Sequence, residues 1–542
     1  MCFSESERQR ANCERGSMGS EQAPLPGIEL DQNSHGFSDK TESSKNEEPT
    51  GTRKPRYKHI NREQTFLRTV DVELLIPEDH AARAIWELVG NLDLSGYRQK
   101  IRAVAGVAGR PAFNPQLLIS LWIYAYSQAV SSARAIESLC AREPAYQWLT
   151  GMTVVNAHTL SDFRMAHEQE LKQLFIQVLA LLSAEGLVTL ERVMQDGTKI
   201  KALAAEDSYR REEWVQEQLK IAQDHVEAVD KLTEEESTER RARARERSQR
   251  ERRERLECAL REFDKLKAEG NPKEKISITD PEARKMKQSD GGFATSYNVQ
   301  LVTDAANKVI VGVGITQAGN DYDELTSGVQ GVEQNLGQKP KQVVADGGYV
   351  SRDNIVDMEF REVEFIGPLC DEAGKGKGTY NRFGVSPEYY ASQFVYDAAT
   401  DTFRCPQGKT LSYEAKQECN LHVSHKYSAA LADCQACPVR SQCCPGNRVT
   451  GRSVRRTEEL PEVVAFREKM KTEAAREIYR QRSEVAETPN LWIKEKFGLR
   501  QFRVRGLRKA GIETLWACLT YDISLWIRLC WRMRLTGSAA SA

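Results

Sequence analysis

Two aspartates stand out for their surroundings. Asp196 lies in VMQDGT and Asp346 in VVADGG, each read as closing a β-like run just before a glycine. Carboxylates at strand ends lie where an open α/β sheet places its site, and glycine lets a backbone approach closely. A third acid comes from the segment EIYRQRSEVAETPNLWIKEKFGLRQFRVRGLRKAG, which sets out Tyr479, Arg482, Glu487 and Lys494 in order. Glu487 has basic residues on both sides. Thr488 followed by Pro489 reads as an N-cap with proline at the first helical position, which puts Glu487 at a helix entrance. The stretch 494–509 then carries Lys494, Lys496, Arg500, Arg503, Arg505, Arg508 and Lys509 against one acid, Glu495. That is a local patch of the size DNA needs on a nearly neutral chain.

A second set of chemical residues is soft. Cys434 and Cys437 form a C-x₂-C pair, with Cys405 before them and Cys443 and Cys444 after. Four thiolates suit a closed tetrahedral zinc site. Cys405 and Cys443 are the first choice to complete it, with Cys419, His422, His425 and Cys444 in reserve.

The elements that must position these residues follow from pattern. Residues 1–55 are rich in Ser, Glu, Asn and Gly and are expected to be a disordered tail. Residues 56–190 read as helices with apolar residues at helical spacing; Asn114–Pro115 and His158–Thr159 are start signals, and Gly151 and Gly186 stops. This region is compatible with a helix-turn-helix arrangement in which Arg134, Arg142 and Arg164 meet phosphates. Residues 205–275 read as a charged helix or helical hairpin, with nine arginines and four glutamates in 239–255. The core is expected at 191–204 and 276–394, with sheet over 275–350 where ATSYNVQLVTD, KVIVGVGITQ and KQVVADGGY alternate or run β-branched, and a helix in DYDELTSGVQGVEQNLG between the last two. The Cys-rich module spans 395–450, and 451–535 return to helix.

Composition bounds the function. With 77 Lys+Arg and 78 Asp+Glu the formal net charge is −1, which excludes a uniformly basic nucleic-acid coat. No apolar run reaches the ~18 residues of a membrane span. The N-terminal residues have no apolar signal region, and 13 cysteines without one argue for reduced thiols in the cytoplasm.

Taken together, MQDGTKIKA (194–202), TDPEARKM (279–286), SYNVQ (296–300), VVADGGY (343–349) and the Tyr479–Arg482–Glu487–Lys494 signature resemble bacterial insertion-sequence transposases of the DDE type. The similarity is to the insertion-sequence-five supergroup, in its branch with a cysteine-rich insert, and covers about 60–540. It implies an α/β fold with an RNase H-like mixed-sheet core, a helical N-terminal DNA-binding domain, a charged helical insertion and a small zinc module. It implies that Asp196, Asp346 and Glu487 hold Mg²⁺ (or Mn²⁺) and that Tyr479, Arg482 and Lys494 meet DNA, to which the basic patch adds Arg503, Arg505 and Arg508. It supports Cys405, Cys434, Cys437 and Cys443 as zinc ligands. The partner is double-stranded DNA, both element ends and target, with no membrane and with action as a homo-oligomer. The chain departs from the family where Thr488 separates Glu487 from proline and where the gap from Arg482 to Glu487 is one residue longer. Glu484 therefore stays a rival third acid. A nuclease without strand transfer and a non-catalytic DNA-binding derivative are the alternative functions.

Overall fold

A computed structural model describes residues 69–103, 111–230, 240–368, 384–419, 422–445 and 450–539. The expected tail, 1–55, lies outside them.

The helical N-terminal region comprises α1 (Ala81–Gly90), α2 (Ser95–Gln99), α3 (Pro115–Ser127), α4 (Ala133–Cys140), α5 (Pro144–Thr150), α6 (Ala157–Ala166) and α7 (Glu168–Ala184). Asn114 caps α3 as read, accepting from Gln116 N at 3.0 Å. The start of α6 differs: Asn156 is its cap, accepting from Thr159 N at 2.8 Å, so His158 and Thr159 lie inside the first turn. Nearly every side chain of α3 is buried, as expected of a helix that is apolar all round. A helix so enclosed cannot enter a DNA groove.

The central sheet contains β1 (Val193–Lys201), β2 (Arg284–Lys287), β3 (Phe293–Asp304), β4 (Ile310–Thr316), β5 (Gln342–Ala345) and β6 (Glu364–Ile366). β1 pairs antiparallel with β3 and parallel with β5, and β6 extends the sheet in parallel beside β5. The other edge of β3 carries β2 and β4, both antiparallel. Thus β4–β3–β1 form an antiparallel half and β1–β5–β6 a parallel half. The helices α10 (Glu324–Leu336) and α11 (Arg352–Phe360) fill the connections after β4 and β5.

The charged region between β1 and β2 forms α8 (Glu212–Asp230) and α9 (Arg240–Ala268). They pack as a pair around a small core of their own, with Val215, Ala222, Leu256, Ala259 and Phe263 buried. The hairpin option is the one realised.

A second, five-stranded antiparallel sheet follows: β7 (Val395–Asp397), β8 (Thr402–Arg404), β9 (Thr410–Cys419), β10 (His422–Ala429) and β11 (Ser453–Glu458). The cysteine module is therefore mostly sheet, and β11 carries it past residue 450. Two short helices, α12 (Leu431–Gln435) and α13 (Arg440–Cys443), join β10 to β11.

The chain ends in α14 (Pro461–Lys471), α15 (Glu473–Arg480), α16 (Arg482–Leu491), α17 (Leu507–Trp526) and α18 (Arg532–Ala539). α17 is the hub. Fifteen of its twenty residues are buried, and it packs against α3, α7 and β4. Trp516 Nε1 donates to the Arg164 carbonyl at 3.4 Å. The N-terminal helices and the central sheet thus share one core rather than forming separate bodies. Arg164 belongs to that core: it lies 3.6 Å from Glu513 Oε1 and 4.6 Å from the Trp122 ring centroid. It is not available to a phosphate. Among the described residues no helix is long and apolar enough to cross a membrane.

Candidate active site

β1 runs unbroken through Asp196 and Gly197, so Asp196 stands in mid-strand instead of closing it. Asp346 does follow directly on β5. The parallel register Val193–Val343, Met194–Val344, Gln195–Ala345 brings the next residue of each strand, Asp196 and Asp346, side by side. One guanidinium spans them: Arg482 NH2 is 3.3 Å from Asp196 Oδ1 and 3.4 Å from Asp346 Oδ2. Asn490 Nδ2 donates to Asp196 Oδ2 at 2.9 Å. Arg482 and Asn490 come from the same face of α16, eight residues or about two turns apart. Burial pushes the Asp196 carboxyl up to about 6, with Arg482 opposing and Asp346 and Asp321 reinforcing.

The reading of a helix entrance at Thr488–Pro489 is overturned. Pro489 lies inside α16, where it has no N–H to offer the preceding turn. Thr488 Oγ1 donates to the Glu484 carbonyl at 2.6 Å and Asn490 Nδ2 to that of Ala486 at 3.2 Å. Beyond Leu491 the helix widens into a π turn over Trp492–Lys496, a local feature often found at functional sites. Glu487 and Lys494 then line one open cleft of about 440 Å³ with Asp196, Thr198 and Asn490. Burial holds the Lys494 amine below its usual range, with Asp196 opposing. Glu484 borders the same cleft, but it pairs with Lys308 at 2.9 Å and is 80% exposed. Tyr479 is half-buried and packs against the main core; it does not line the cleft.

Sequence reading missed Asp321, in the loop between β4 and α10. Its Oδ1 accepts from Asn298 Nδ2 and Gln300 Nε2, both at 2.7 Å. These are alternate residues of β3, in the SYNVQ motif, and so share a face. Gln300 pairs across the sheet with Gly197, whereas Asp196 pairs with Leu301. Asp321 therefore lies on the opposite face of the sheet from the Asp196 side chain. A Cβ at Gly197 would collide with the Asp321 carboxylate, which accounts for the glycine after Asp196. The usable signal was two polar residues, Asn298 and Gln300, alternating inside a strand long enough to be buried.

The basic stretch is a loop held from behind by acids. Glu513 Oε2 accepts from Arg503 N at 2.9 Å, Asp280 Oδ1 from Gly506 N at 3.1 Å and Glu282 Oε2 from Leu507 N at 3.0 Å. Two of these acids belong to the TDPEARKM motif. With its backbone held, the loop exposes Arg503 and Arg505, and the first turn of α17 exposes Arg508. Arg508 also reaches Glu168 at 2.7 Å.

Two family models match the chain. One, described as Transposase DDE domain, covers residues 404–525, and one described as Transposase domain (DUF772) covers 70–166. These matches support a DDE-type insertion-sequence transposase. No curated protein and no solved structure matches. The DDE-domain match takes in β9, β10 and β11 of the second sheet, Arg482, Glu487, Lys494 and the basic loop. It starts after Asp196 and Asp346, which rest on their geometry.

Within that match, Cys405, Cys434, Cys437, Cys443 and Cys444 surround one small cavity of about 30 Å³. Cys405 Sγ accepts from Lys409 N and Cys434 Sγ from Arg452 N, both at 3.3 Å. The Cys443 thiol is pushed well up by its neighbour Cys444 and by burial. His425, held in reserve, pairs with Glu458 at 3.2 Å. The Cys419 and His422 side chains lie outside the described residues. Among the described residues no group of three or more His, Cys, Asp or Glu is placed to hold a metal ion. The closed four-cysteine site expected from spacing is therefore not formed as the thiols stand, and Asp196, Asp346 and Glu487 do not form a ready ligand set either.

Proposed function

We propose that this chain binds the ends of an insertion sequence, cuts the DNA beside them and joins the freed 3′ ends to a target. The observation that carries the reading is the side-by-side placement of Asp196 and Asp346 under Arg482 and Asn490 of α16. The sheet order β4–β3–β1–β5–β6, antiparallel and then parallel, supports an RNase H-like core for the same site.

DDE transposases in general use a divalent metal such as Mg²⁺. The donors fit by chemistry: Asp196, Asp346 and Glu487 offer hard oxygens, and Asn490 Oδ1 is buried without a hydrogen-bond partner. When bound, such a cation supplies an activated water or 3′-hydroxyl and stabilises the leaving oxygen. The chain's own residues do the rest. Asp196 and Asp346 repel one another, and Arg482 offsets that repulsion. Arg482 and Lys494 then offer fixed positive charge to the scissile phosphate. The loop bearing Arg503 and Arg505, with Arg508 at the start of α17, tracks the flanking backbone and sets register without reading sequence. DNA as partner follows from the transposase family, and action as a homo-oligomer on paired ends extends the same reading.

The cysteine cluster is proposed as a structural zinc site using Cys405, Cys434, Cys437 and Cys443, with Cys444 adjacent. Its support is the shared cavity and the main-chain N–H groups aimed at two of the sulfurs. Four sulfur ligands leave no open position for chemistry.

The test is a precleaved, labelled element end with a 3′-hydroxyl, incubated with target DNA and Mg²⁺. Joined product is expected. Nicking of intact ends with no joined product would make the chain a nuclease without strand transfer.

A further inference from the structure

Asp321, Gln300 and Tyr349 form a connected path to Asp346 that the proposed chemistry does not use. Asp321 caps no helix: the N-cap of α10 is Asp323, and no side-chain cap bond is present there. Its carboxylate instead takes two amides on one oxygen. A carboxylate only accepts, so Gln300 must present Nε2 to Asp321 and Oε1 the other way. Oε1 accepts the hydroxyl proton of Tyr349. Tyr349 is fully buried, and its N–H closes the turn onto the Asp346 carbonyl at 3.1 Å. Asp321 also packs directly beneath that turn, where a Cβ at Gly348 would stand 3.8 Å from its Cβ and Oδ2.

We infer that Asp321 is a positioning residue that sets the Asp346 carboxylate through Gln300 and Tyr349. This rests on the reading of Asp196 and Asp346 as the metal-binding acids. A carboxylate beneath two others costs electrostatic energy, and a packing residue in that place needs no charge. What the charge supplies is direction: with an acceptor-only group at 321, Gln300 has one orientation and offers the Tyr349 hydroxyl a fixed acceptor. The Tyr349–Gln300 hydrogen bond joins VVADGGY to SYNVQ.

The test is calorimetric titration of Mn²⁺ alone into the full chain, with melting temperature followed in parallel. Asp321→Ala should weaken Mn²⁺ binding about tenfold, the effect typical of losing a supporting contact around a metal ligand. Tyr349→Phe should act in the same direction, and the double variant should be no worse than Asp321→Ala. Asp321→Asn keeps an acceptor but can also donate, so it no longer fixes the Gln300 amide and should restore only part of the affinity. An Asp321→Ala chain that melts lower yet binds Mn²⁺ like the native protein would overturn the inference. Strictly additive losses from Asp321→Ala and Tyr349→Phe would overturn it too. If Asp321→Ala does not fold, Tyr349→Phe decides, because it removes one hydroxyl: unchanged Mn²⁺ affinity sinks the relay. Asp196→Asn separates the two levels. Should it leave Mn²⁺ binding intact, the reading of the acidic centre itself falls.

Discussion

Two groups of acids occupy this chain, and they are built to opposite ends. Asp280 and Glu513 are fully buried, and with Glu282 each gives an oxygen to a main-chain N–H of the basic loop. Asp196, which lines the cleft, and Asp346 beside it keep part of their surface open to solvent, with side chains 19% and 39% exposed. Main-chain N–H groups of Gly197 and Gly348 reach them as well, but what bridges and braces them is the guanidinium and amide of α16. Main-chain donors cannot leave without unfolding the loop, whereas a side chain can turn away. Burial of a carboxylate therefore does not mark chemistry in this protein. The marks are neighbouring acids, replaceable partners and access to solvent.

The largest effect should come from the cleft acids. Glu487→Gln should reduce Mg²⁺-dependent cleavage to background, and adding Asp346→Asn should cost little more, because groups that act as a unit are not additive. Cleavage retained by Glu487→Gln and lost by Glu484→Gln would move the third acid to 484.

The buried group should answer through stability. Glu513→Gln leaves Arg164 buried without its counter-charge, a loss of about 3–5 kcal/mol. Thermal or denaturant unfolding reads it, and an unchanged midpoint would mean that the pair does not hold the N-terminal helices to α17.

The loop itself should respond to salt. Replacing Arg503, Arg505 and Arg508 with Ala should flatten the log–log salt slope of end binding by about 2–3 units, at roughly 0.9 per phosphate contact. An identical slope would remove the loop from the DNA interface. The soft cluster supplies a control: about one zinc per chain is expected to co-purify and to be lost in Cys434→Ser, without change in that slope. Soluble, active protein free of zinc on elemental analysis would end that proposal.

The smallest effect is a pH dependence in the stability of the buried group. Burial raises the Asp280 carboxyl to about 6, against hydrogen bonds from Tyr297 and Gly506. A raised carboxyl favours the protonated folded state, so its contribution is full below about 4 and is lost as pH climbs through 6. The melting temperature of Asp280→Asn relative to the native chain should therefore improve between pH 5 and pH 7. A pH-independent difference would mean that Asp280 does not titrate there.

What could be read in the sequence was local. Asn114–Pro115 marked α3 because the cap and the proline act within one turn. Asp346 was legible because a β-branched run stops at it. Asp196 was found, but its strand end was misplaced: Asp-Gly reads as a turn unless something fills the space a side chain would take, and here Asp321 does, about 125 residues away. Asp321 itself was hidden because its importance lies in contacts with β3, outside its own segment. Pro489 misled for a related reason, since compensation by Thr488, Asn490 and the π turn is a property of the folded helix. The shared core was equally out of reach. An apolar α17 says that it is buried, and only the fold shows that α3, α7 and β4 bury it.

The central claim concerns Asp196 and Asp346, and one panel tests it most directly. Native chain, Asp196→Asn, Asp346→Asn and Glu484→Gln are compared for binding and for Mg²⁺-dependent nicking of the same labelled element end. All four should bind, because phosphate contacts come from Lys and Arg. Native chain and Glu484→Gln should nick, and the two aspartate variants should not. Nicking by Asp196→Asn at the native rate would contradict the account.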